Sequence, residues 1–319
     1  MKIALLEPLN VSNDILDELS KDIKDKKHEF VAYDNVTKDV EELKKRVKGA
    51  DAVIIANNQL PGEVIEAADK LKFISVAFTG IDHVDKDACL KKGIKLSNCA
   101  GYSDQAVAEL VIGMIISKLR NLVECNTAVR QGKTMGSEGL MGSELSGKTV
   151  GIVGTGKIGL KVAGLLRAFG CNLLGYDLQA KKEGEDLGIK YVSLEELLKE
   201  SDIVTLHTPL MDSTRNLINK ERIKMMKPSA LLINCARGPV MDIEATAEAL
   251  KNKKIAGAGI DVFEVEPPLP LDHVLIDTDN TLLTPHVAFA TDESMVRRAK
   301  IAFDNIYAWL DGGQINTMF

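Results

Sequence analysis

The chain has 319 residues, 45% of them hydrophobic and 27% charged, with a formal net charge of −6 at pH 7. That length favours two domains over one core, and the acidic balance excludes an electrostatic footprint for nucleic acid. No apolar run reaches the ~18 residues that a membrane span needs.

Taken in order, the opening MKIALLEPLN carries too short an apolar stretch for a signal peptide and reads as a first strand. Apolar runs follow at Ile3–Leu6, Ala52–Ala56, Phe73–Phe78 and Ile94–Leu96, separated by charged, helix-period segments such as Val40–Val47. This alternation predicts a parallel sheet with helices on both faces. A glycine turn, AFTGIDHVD, sits after the third of these runs. Backbone N–H groups near Thr79 and Gly80 can face a small anion there, although spacing alone favours a plain strand-to-helix loop. Residues 103–120 predict a long helix capped by Ser103 or Asp104. Ala106 to Ile116 is apolar nearly all round, so the helix is expected to be buried on every side, linking domains or joining a subunit interface. The polar, glycine-rich stretch from Asn126 to Gly147 reads as an arm or connector.

The most informative stretch is TVGIVGTGKIGLKVAGLLRAFGCNLLGYD, residues 149–177. A β-branched apolar run leads into Gly154, Gly156 and Gly159, spaced G-x-G-x-x-G. The first glycine permits a sharp turn, the second leaves room for a pyrophosphate, and the third lets helix and strand pack closely. The apolar period then changes to that of a helix, with Ile158, Val162, Leu165, Leu166 and Phe169 on one face and Gly170 placed to end it. A second strand, Asn172 to Tyr176, ends at Asp177, about 20 residues beyond the turn, where a carboxylate can accept hydrogen bonds from the adenine-side ribose. A fixed carboxylate would repel a 2′-phosphate, so NAD(H) is expected over NADP(H). Lys181 and Lys182 soften that preference.

Beyond this point strands and helices continue to alternate, with a capping box at Ser193 and Glu196. Predicted strands end at His207-Thr208-Pro209, at Cys235-Ala236-Arg237-Gly238, at Asp261 and at Pro285-His286. Ligands of doubly wound sheets lie outside the carboxyl ends of the strands, and polar residues recur at those ends: Asp177, His207, Arg237, Asp261 and His286. His207 to Pro209 are assigned to the ribose or adenine, and Asp261 to the nicotinamide carboxamide. Other expected cofactor contacts are Thr155, Lys157 and Ile158 of the glycine turn, with Thr214, Cys235, Ala236 and Ala288. The last helix, 292–311, is capped by Thr291, has Asp292 and Glu293 in its positive first turn and ends at Gly312-Gly313. It is expected to cross back to the first domain.

Arg237, Glu266 and His286 suit hydride transfer to a 2-oxo acid. A guanidinium binds a carboxylate bidentately. An imidazole can give or take a proton near neutrality. A carboxylate beside it favours the imidazolium form. His28, His83 and His273 read as surface or loop residues. The five cysteines (Cys89, Cys99, Cys125, Cys171 and Cys235) form no C-x-x-C pair, and the five histidines show no metal-ligand spacing. No metal and no disulfide framework are therefore expected, and a reducing cytoplasm fits.

Over nearly its whole length the sequence resembles the D-isomer-specific 2-hydroxyacid dehydrogenases. The matching motifs run from AFTGIDHVD through GYSDQAVAEL, GIVGTGKIG, LHTPLMDST, LLINCARGPVMD and GIDVFEVEP to LLTPHVAFAT. The resemblance implies that Arg237, Glu266 and His286 are catalytic. It also implies that the substrate carboxylate binds the backbone at Thr79 and Gly80, against the plain-loop reading. Tyr102 and Phe289 match positions that face the substrate side chain in D-lactate and D-2-hydroxyisocaproate dehydrogenases. The implied fold is α/β, with two doubly wound, parallel-sheet (Rossmann/flavodoxin-like) domains and a cleft between them. Residues 1–100 plus 288–319 form the substrate domain, and residues 101–287 the NAD-binding domain. A homodimer through residues 103–147 is expected. Residues 56–61, ANNQLP, lack the arginine of phosphoglycerate-type enzymes, which points to a small unphosphorylated 2-oxo acid. Glyoxylate or hydroxypyruvate reduction is a close rival, and a phosphoglycerate dehydrogenase-like enzyme is a further alternative. Formate dehydrogenases carry glutamine where Glu266 stands. A third expectation, from another class, is an NAD(H)-sensing protein like the corepressors of this fold.

Overall fold

The structure is a computed structural model that describes residues 1–136 and 139–319. Ser137 and Glu138, part of the stretch expected as an arm and dimer contact, lie outside the described residues. The chain divides into two compact units, Met1–Ser103 with Ala290–Phe319, and Asp104–Phe289.

In the first unit strands and helices alternate: β1 (Lys2–Leu5), α1 (Asn13–Asp25), β2 (Glu29–Ala32), α2 (Val40–Val47), β3 (Ala52–Ile55), α3 (Gly62–Ala67), β4 (Phe73–Val76), α4 (Lys86–Lys92) and β5 (Lys95–Ser97). The sheet is parallel throughout, in the order β2-β1-β3-β4-β5. All four residues of β3 and of β4 are buried, as central strands covered on both faces require. The helices start where short polar side chains accept the orphan N–H groups of the first turn: Ser12 from Ile15, Asp39 from Glu42 and Asp85 from Ala88. Strand β2 was not among the expected strands. Its EFVA sequence has no buried residue and no clear alternation, and pairing with β1 at the sheet edge makes it a strand.

The second unit opens with α5 (Asp104–Leu119) and α6 (Leu122–Arg130). It continues with β6 (Thr149–Val153), α7 (Lys157–Ala168), β7 (Asn172–Tyr176), α8 (Lys182–Asp186), β8 (Ile189–Tyr191), α9 (Leu194–Glu200), β9 (Ile203–Leu206), α10 (Lys220–Ile223), β10 (Leu231–Asn234), α11 (Ile243–Lys251), β11 (Gly257–Ile260) and β12 (Thr281–Leu283). These strands form one parallel sheet in the order β12-β11-β10-β9-β6-β7-β8. Successive residues feed opposite cores. Ile203 and Leu231 pack with α5 and α7, while Val204 and Leu232 pack with α9 and α11. The strand order reverses between β6 and β9, the position at which doubly wound sheets bind ligands.

The structure differs from expectation at α5 and at the connector. Helix α5 is not buried on every side: Ala108, Val111, Met114 and Ile115 are buried, but Glu109 and Gly113 are exposed. The start of the supposed connector at Asn126 is helical, as part of α6. The buried Lys118 of α5 reaches Glu124 of α6 at 3.1 Å, which ties the two helices together.

The chain re-enters the first unit at Ala290, and α12 (Asp292–Leu310) follows. Thr291 and Ser294 cap it reciprocally, and Gly312 takes the left-handed conformation just beyond its end, with φ +85°. It packs on α1 and β4. The Ser75 hydroxyl of β4 donates to the Ala302 carbonyl at 2.9 Å and accepts from Asn305 at 3.2 Å. Among the described residues no helix is long and apolar enough to cross a membrane.

Candidate active site

At the carboxyl end of β6 the three glycines meet three different demands. Gly154 has φ +92°, and a Cβ there would lie 2.8 Å from the His207 carbonyl group. The turn therefore has to press against the end of β9 with no side chain. Gly159 would place a Cβ 2.1 Å from the Gly154 oxygen, whereas a Cβ on Gly156 would meet nothing within 4 Å. The space over Gly156, at the N-cap of α7, is thus free of protein atoms. An open backbone approach at a helix N-terminus is what a pyrophosphate needs.

Asp177, at the end of β7, closes the other side of this turn. Its Oδ2 accepts the Thr155 N–H at 2.7 Å and the Thr155 hydroxyl at 2.9 Å, and its Oδ1 accepts the Leu178 N–H at 2.8 Å. Burial works to raise the carboxyl pKa, but these donors, with Lys181 nearby, outweigh it and hold the group below the ordinary Asp value. Tyr191 donates to the Thr155 hydroxyl at 3.0 Å, and Lys181 Nζ to the Thr155 carbonyl at 3.0 Å. Asp177 is therefore an oriented anion. Lys157 is exposed and Ile158 half-buried on the first turn of α7.

After β9, His207 pairs through Nε2 with the Thr205 hydroxyl at 3.0 Å. The residue keeps some exposure, yet desolvation of the ring lowers its pKa to about 4. Among the described residues the buried Thr208 hydroxyl, beside Gly154, has no hydrogen-bond partner. The Thr214 hydroxyl is engaged by its own loop, donating to the Pro209 carbonyl at 2.6 Å and accepting from the Met211 N–H at 2.8 Å.

Arg237 follows β10. Asn234 shapes its loop, donating to the Arg237 carbonyl at 3.0 Å and accepting from the Ala236 N–H at 3.0 Å. Cys235 is buried, 3.7 Å from the Met114 sulfur, and burial pushes its thiol far above the ordinary range. Gly238 packs directly on the backbone of Phe263, where a Cβ would fall 2.0 Å from the Phe263 carbonyl carbon. The loop carrying Arg237 and the loop carrying Glu266 are thus in register with each other.

His286 follows β12 with φ +56°, an uncommon backbone for histidine. Asp261, at the end of the intervening β11, holds it there. The Asp261 carbonyl accepts the His286 N–H at 2.8 Å. Its fully buried carboxylate takes the Thr284 hydroxyl at 2.5 Å, the Val287 N–H at 2.8 Å and the Ala288 N–H at 2.9 Å. Glu266 lies 2.8 Å through Oε2 and 3.1 Å through Oε1 from His286 Nδ1. The Phe289 ring stands edge-on to the imidazole, with centroids 5.5 Å apart. Arg237 and His286 therefore leave the same edge of one sheet, with β11 between their strands, and Glu266 meets His286 directly.

In the first unit, Asn98 donates to the Thr79 carbonyl at 2.7 Å; Thr79 is exposed and Gly80 half-buried beside it. Tyr102 is 2% exposed and packs edge-on against Phe78, 5.9 Å between centroids. The Arg298 guanidinium lies 5.2 Å over the Phe78 ring.

The family description "D-isomer specific 2-hydroxyacid dehydrogenase, NAD binding domain" matches residues 112–288, more than half of the chain. The chain belongs to this family. It is an NAD-dependent oxidoreductase of 2-hydroxy acids. It is 42% identical over 278 residues to a glyoxylate reductase of Thermofilum pendens, covering 85% of this chain and 82% of that one. It is 38% identical over 288 residues to a hydroxypyruvate reductase of Thermotoga maritima, covering 89% and 92%. Among solved structures it resembles D-lactate dehydrogenase from Aquifex aeolicus complexed with NAD and lactic acid. That match has a TM-score of 0.83 at 31% identity and covers 98% of this chain and 96% of that one.

Residues beyond the expected ones help to build this site. Asn234 and Gly238 stand inside the motif that flagged Arg237, so the signal was present. Tyr191 carried none, because its link to Thr155 crosses the sheet. His273, expected as a surface or loop residue, does lie in a loop, but its side chain is only 6% exposed and contacts Glu264 at 3.0 Å. His83, grouped with it, has a buried Nε2 that finds no hydrogen-bond partner among the described residues.

Proposed function

We propose that this chain reduces a small unphosphorylated 2-oxo acid to the D-2-hydroxy acid with NADH. Bound NADH supplies the hydride. Arg237 binds the substrate carboxylate and carbonyl, and the Thr79–Gly80 backbone takes part in holding the carboxylate. His286 engages Glu266 through Nδ1, which leaves Nε2 to give its proton to the carbonyl oxygen. Glu266 fixes the ring and balances its charge. Asp261 keeps His286 in its left-handed backbone, a positioning role that its three loop donors support. Gly154, Thr155, Gly156, Gly159 and Asp177 hold the cofactor's pyrophosphate and ribose, with His207, Thr208 and Pro209 beside them. Tyr102 and Phe289 border the substrate side chain.

The observation that carries this reading is the His286–Glu266 contact on the same sheet edge as Arg237. Within the substrate class, the relatives' names favour glyoxylate and hydroxypyruvate. Exposed apolar side chains on and after α6, at Leu122, Val123, Val129, Met135 and Met141, support a homodimer. Five free cysteines support a cytoplasmic setting.

Steady-state NADH oxidation against glyoxylate, hydroxypyruvate, pyruvate, 2-oxoisocaproate and 3-phosphohydroxypyruvate tests the proposal. Turnover is expected with at least one of the first four and little with the phosphorylated acid. Tight NADH binding without turnover of any of them would instead mark a sensor like the corepressors of this fold.

A further inference from the structure

The loop FEVE, residues 263–266, carries two glutamates two positions apart, and each meets a histidine. Glu266 meets His286, and Glu264 Oε1 lies 3.0 Å from His273 Nε2. The second histidine is built in from several sides. Its Nδ1 accepts the Leu275 N–H at 3.3 Å, which leaves Nε2 as the donor to Glu264. Its ring stands edge-on to Phe263, with centroids 5.9 Å apart and planes at 89°. Leu275 is wholly buried in the core beneath α9 and α11, and the turn around His273 is closed by backbone bonds from His273 N–H to Pro270 and from Ile276 N–H to His273. On its other side the same loop presses its Phe263 backbone against Gly238.

We propose that His273 is a positioning residue of the active site: by gripping Glu264 and Phe263 it sets where the loop presents Glu266 to His286. Glu266 itself is exposed, its side chain 76% accessible, so packing does not hold it. Its placement has to come from its neighbours in the loop, and Phe263 and Glu264 are the neighbours that the core grips. The inference rests on the reading that Glu266 serves His286.

The test is a double-mutant cycle. Steady-state reduction of hydroxypyruvate and NADH binding by fluorescence are measured for His273→Ala, His273→Gln, Glu266→Gln and the His273→Ala/Glu266→Gln pair. His273→Ala is expected to lower kcat about tenfold or more, because a shift of about 1 Å at a catalytic group can cost ~10²-fold. The NADH Kd and the substrate KM should stay within about twofold. His273→Gln, which retains a donor toward Glu264, should recover most of the loss. In the Glu266→Gln background the His273 change should cost nothing further, the signature of two residues acting through one step. Glu264→Ala, which removes the same bond from its more exposed partner, should reproduce the pattern if His273→Ala does not fold. An unchanged kcat in both His273→Ala and Glu264→Ala, or a fully additive loss in the double variant, overturns the inference while leaving the role of Glu266 intact. An unchanged kcat in Glu266→Gln alone sinks the reading on which it rests.

Discussion

Gly238 and Phe263 touch backbone to backbone: a Cβ added at Gly238 would lie 2.0 Å from both the carbonyl carbon and the carbonyl oxygen of Phe263. Neither atom belongs to a flexible side chain, so the clash cannot be relieved locally. Gly238→Ala should separate the Arg237 loop from the Glu266 loop. Overpacking of this kind destabilises by about 1–3 kcal/mol, and kcat/KM should fall well beyond what the lost stability explains. Denaturant unfolding and steady-state kinetics on the same preparation check both halves.

Arg237→Lys keeps the charge and loses the planar fork. It should cost at least ~2 kcal/mol of transition-state binding, a drop in kcat/KM of roughly 30-fold. The NADH Kd should be unaffected. Unchanged kcat/KM would remove Arg237 from substrate recognition.

The glycines of the cofactor turn separate binding from folding. Gly156 has φ −70° and open space above it, so Gly156→Ala should leave the unfolding free energy within about 0.5 kcal/mol. It should nevertheless weaken NADH binding, because the new methyl group occupies the path of the pyrophosphate. Gly159→Ala has a Cβ 2.1 Å from the Gly154 oxygen and should lose both. Calorimetric titration with NADH alongside thermal unfolding distinguishes the two outcomes. Asp177→Ala should narrow the preference for NADH over NADPH, and a fixed ratio of their kcat/KM values would place selectivity elsewhere.

His207 gives the protein an acid-side sensitivity. Burial lowers its pKa to about 4 from an ordinary 6.5. Between those values the unfolded chain takes up a proton that the folded chain refuses, so stability falls as the pH drops from about 6.5 to about 4 and changes little from this source below that. The full effect is bounded at about 3 kcal/mol. Urea unfolding at pH 7 and pH 5 should show a larger loss for the native chain than for His207→Gln. Equal losses would mean that the ring is not desolvated in solution.

Much of the second unit was legible because its signals are local. The strand, glycine turn, helix and acid from Thr149 to Asp177 each leave a mark within a few residues, and polar residues recur where strands end. What stayed hidden depends on contacts distant in sequence. His273 looks like a loop histidine because nothing nearby reveals that Leu275 pins its turn into the core. The position of Asp261 at a strand end points to the cofactor but does not disclose that the loop after β12 supplies three donors to its carboxylate. The edge strand β2 has no alternation of its own and exists through pairing with β1. Helix α5 reads as apolar all round, but its residues sort into buried and exposed positions only once α7, β10 and β11 are packed against it.

The most direct test of the account is the reduction of hydroxypyruvate by NADH with the native chain and with His286→Asn, together with the chirality of the glycerate formed. The account predicts D-glycerate from the native chain. It also predicts a fall in kcat of at least ~10²-fold in the variant, the usual worth of a positioned proton donor, with the NADH Kd unchanged. L-glycerate, or a variant that turns over as fast as the native chain, would contradict it.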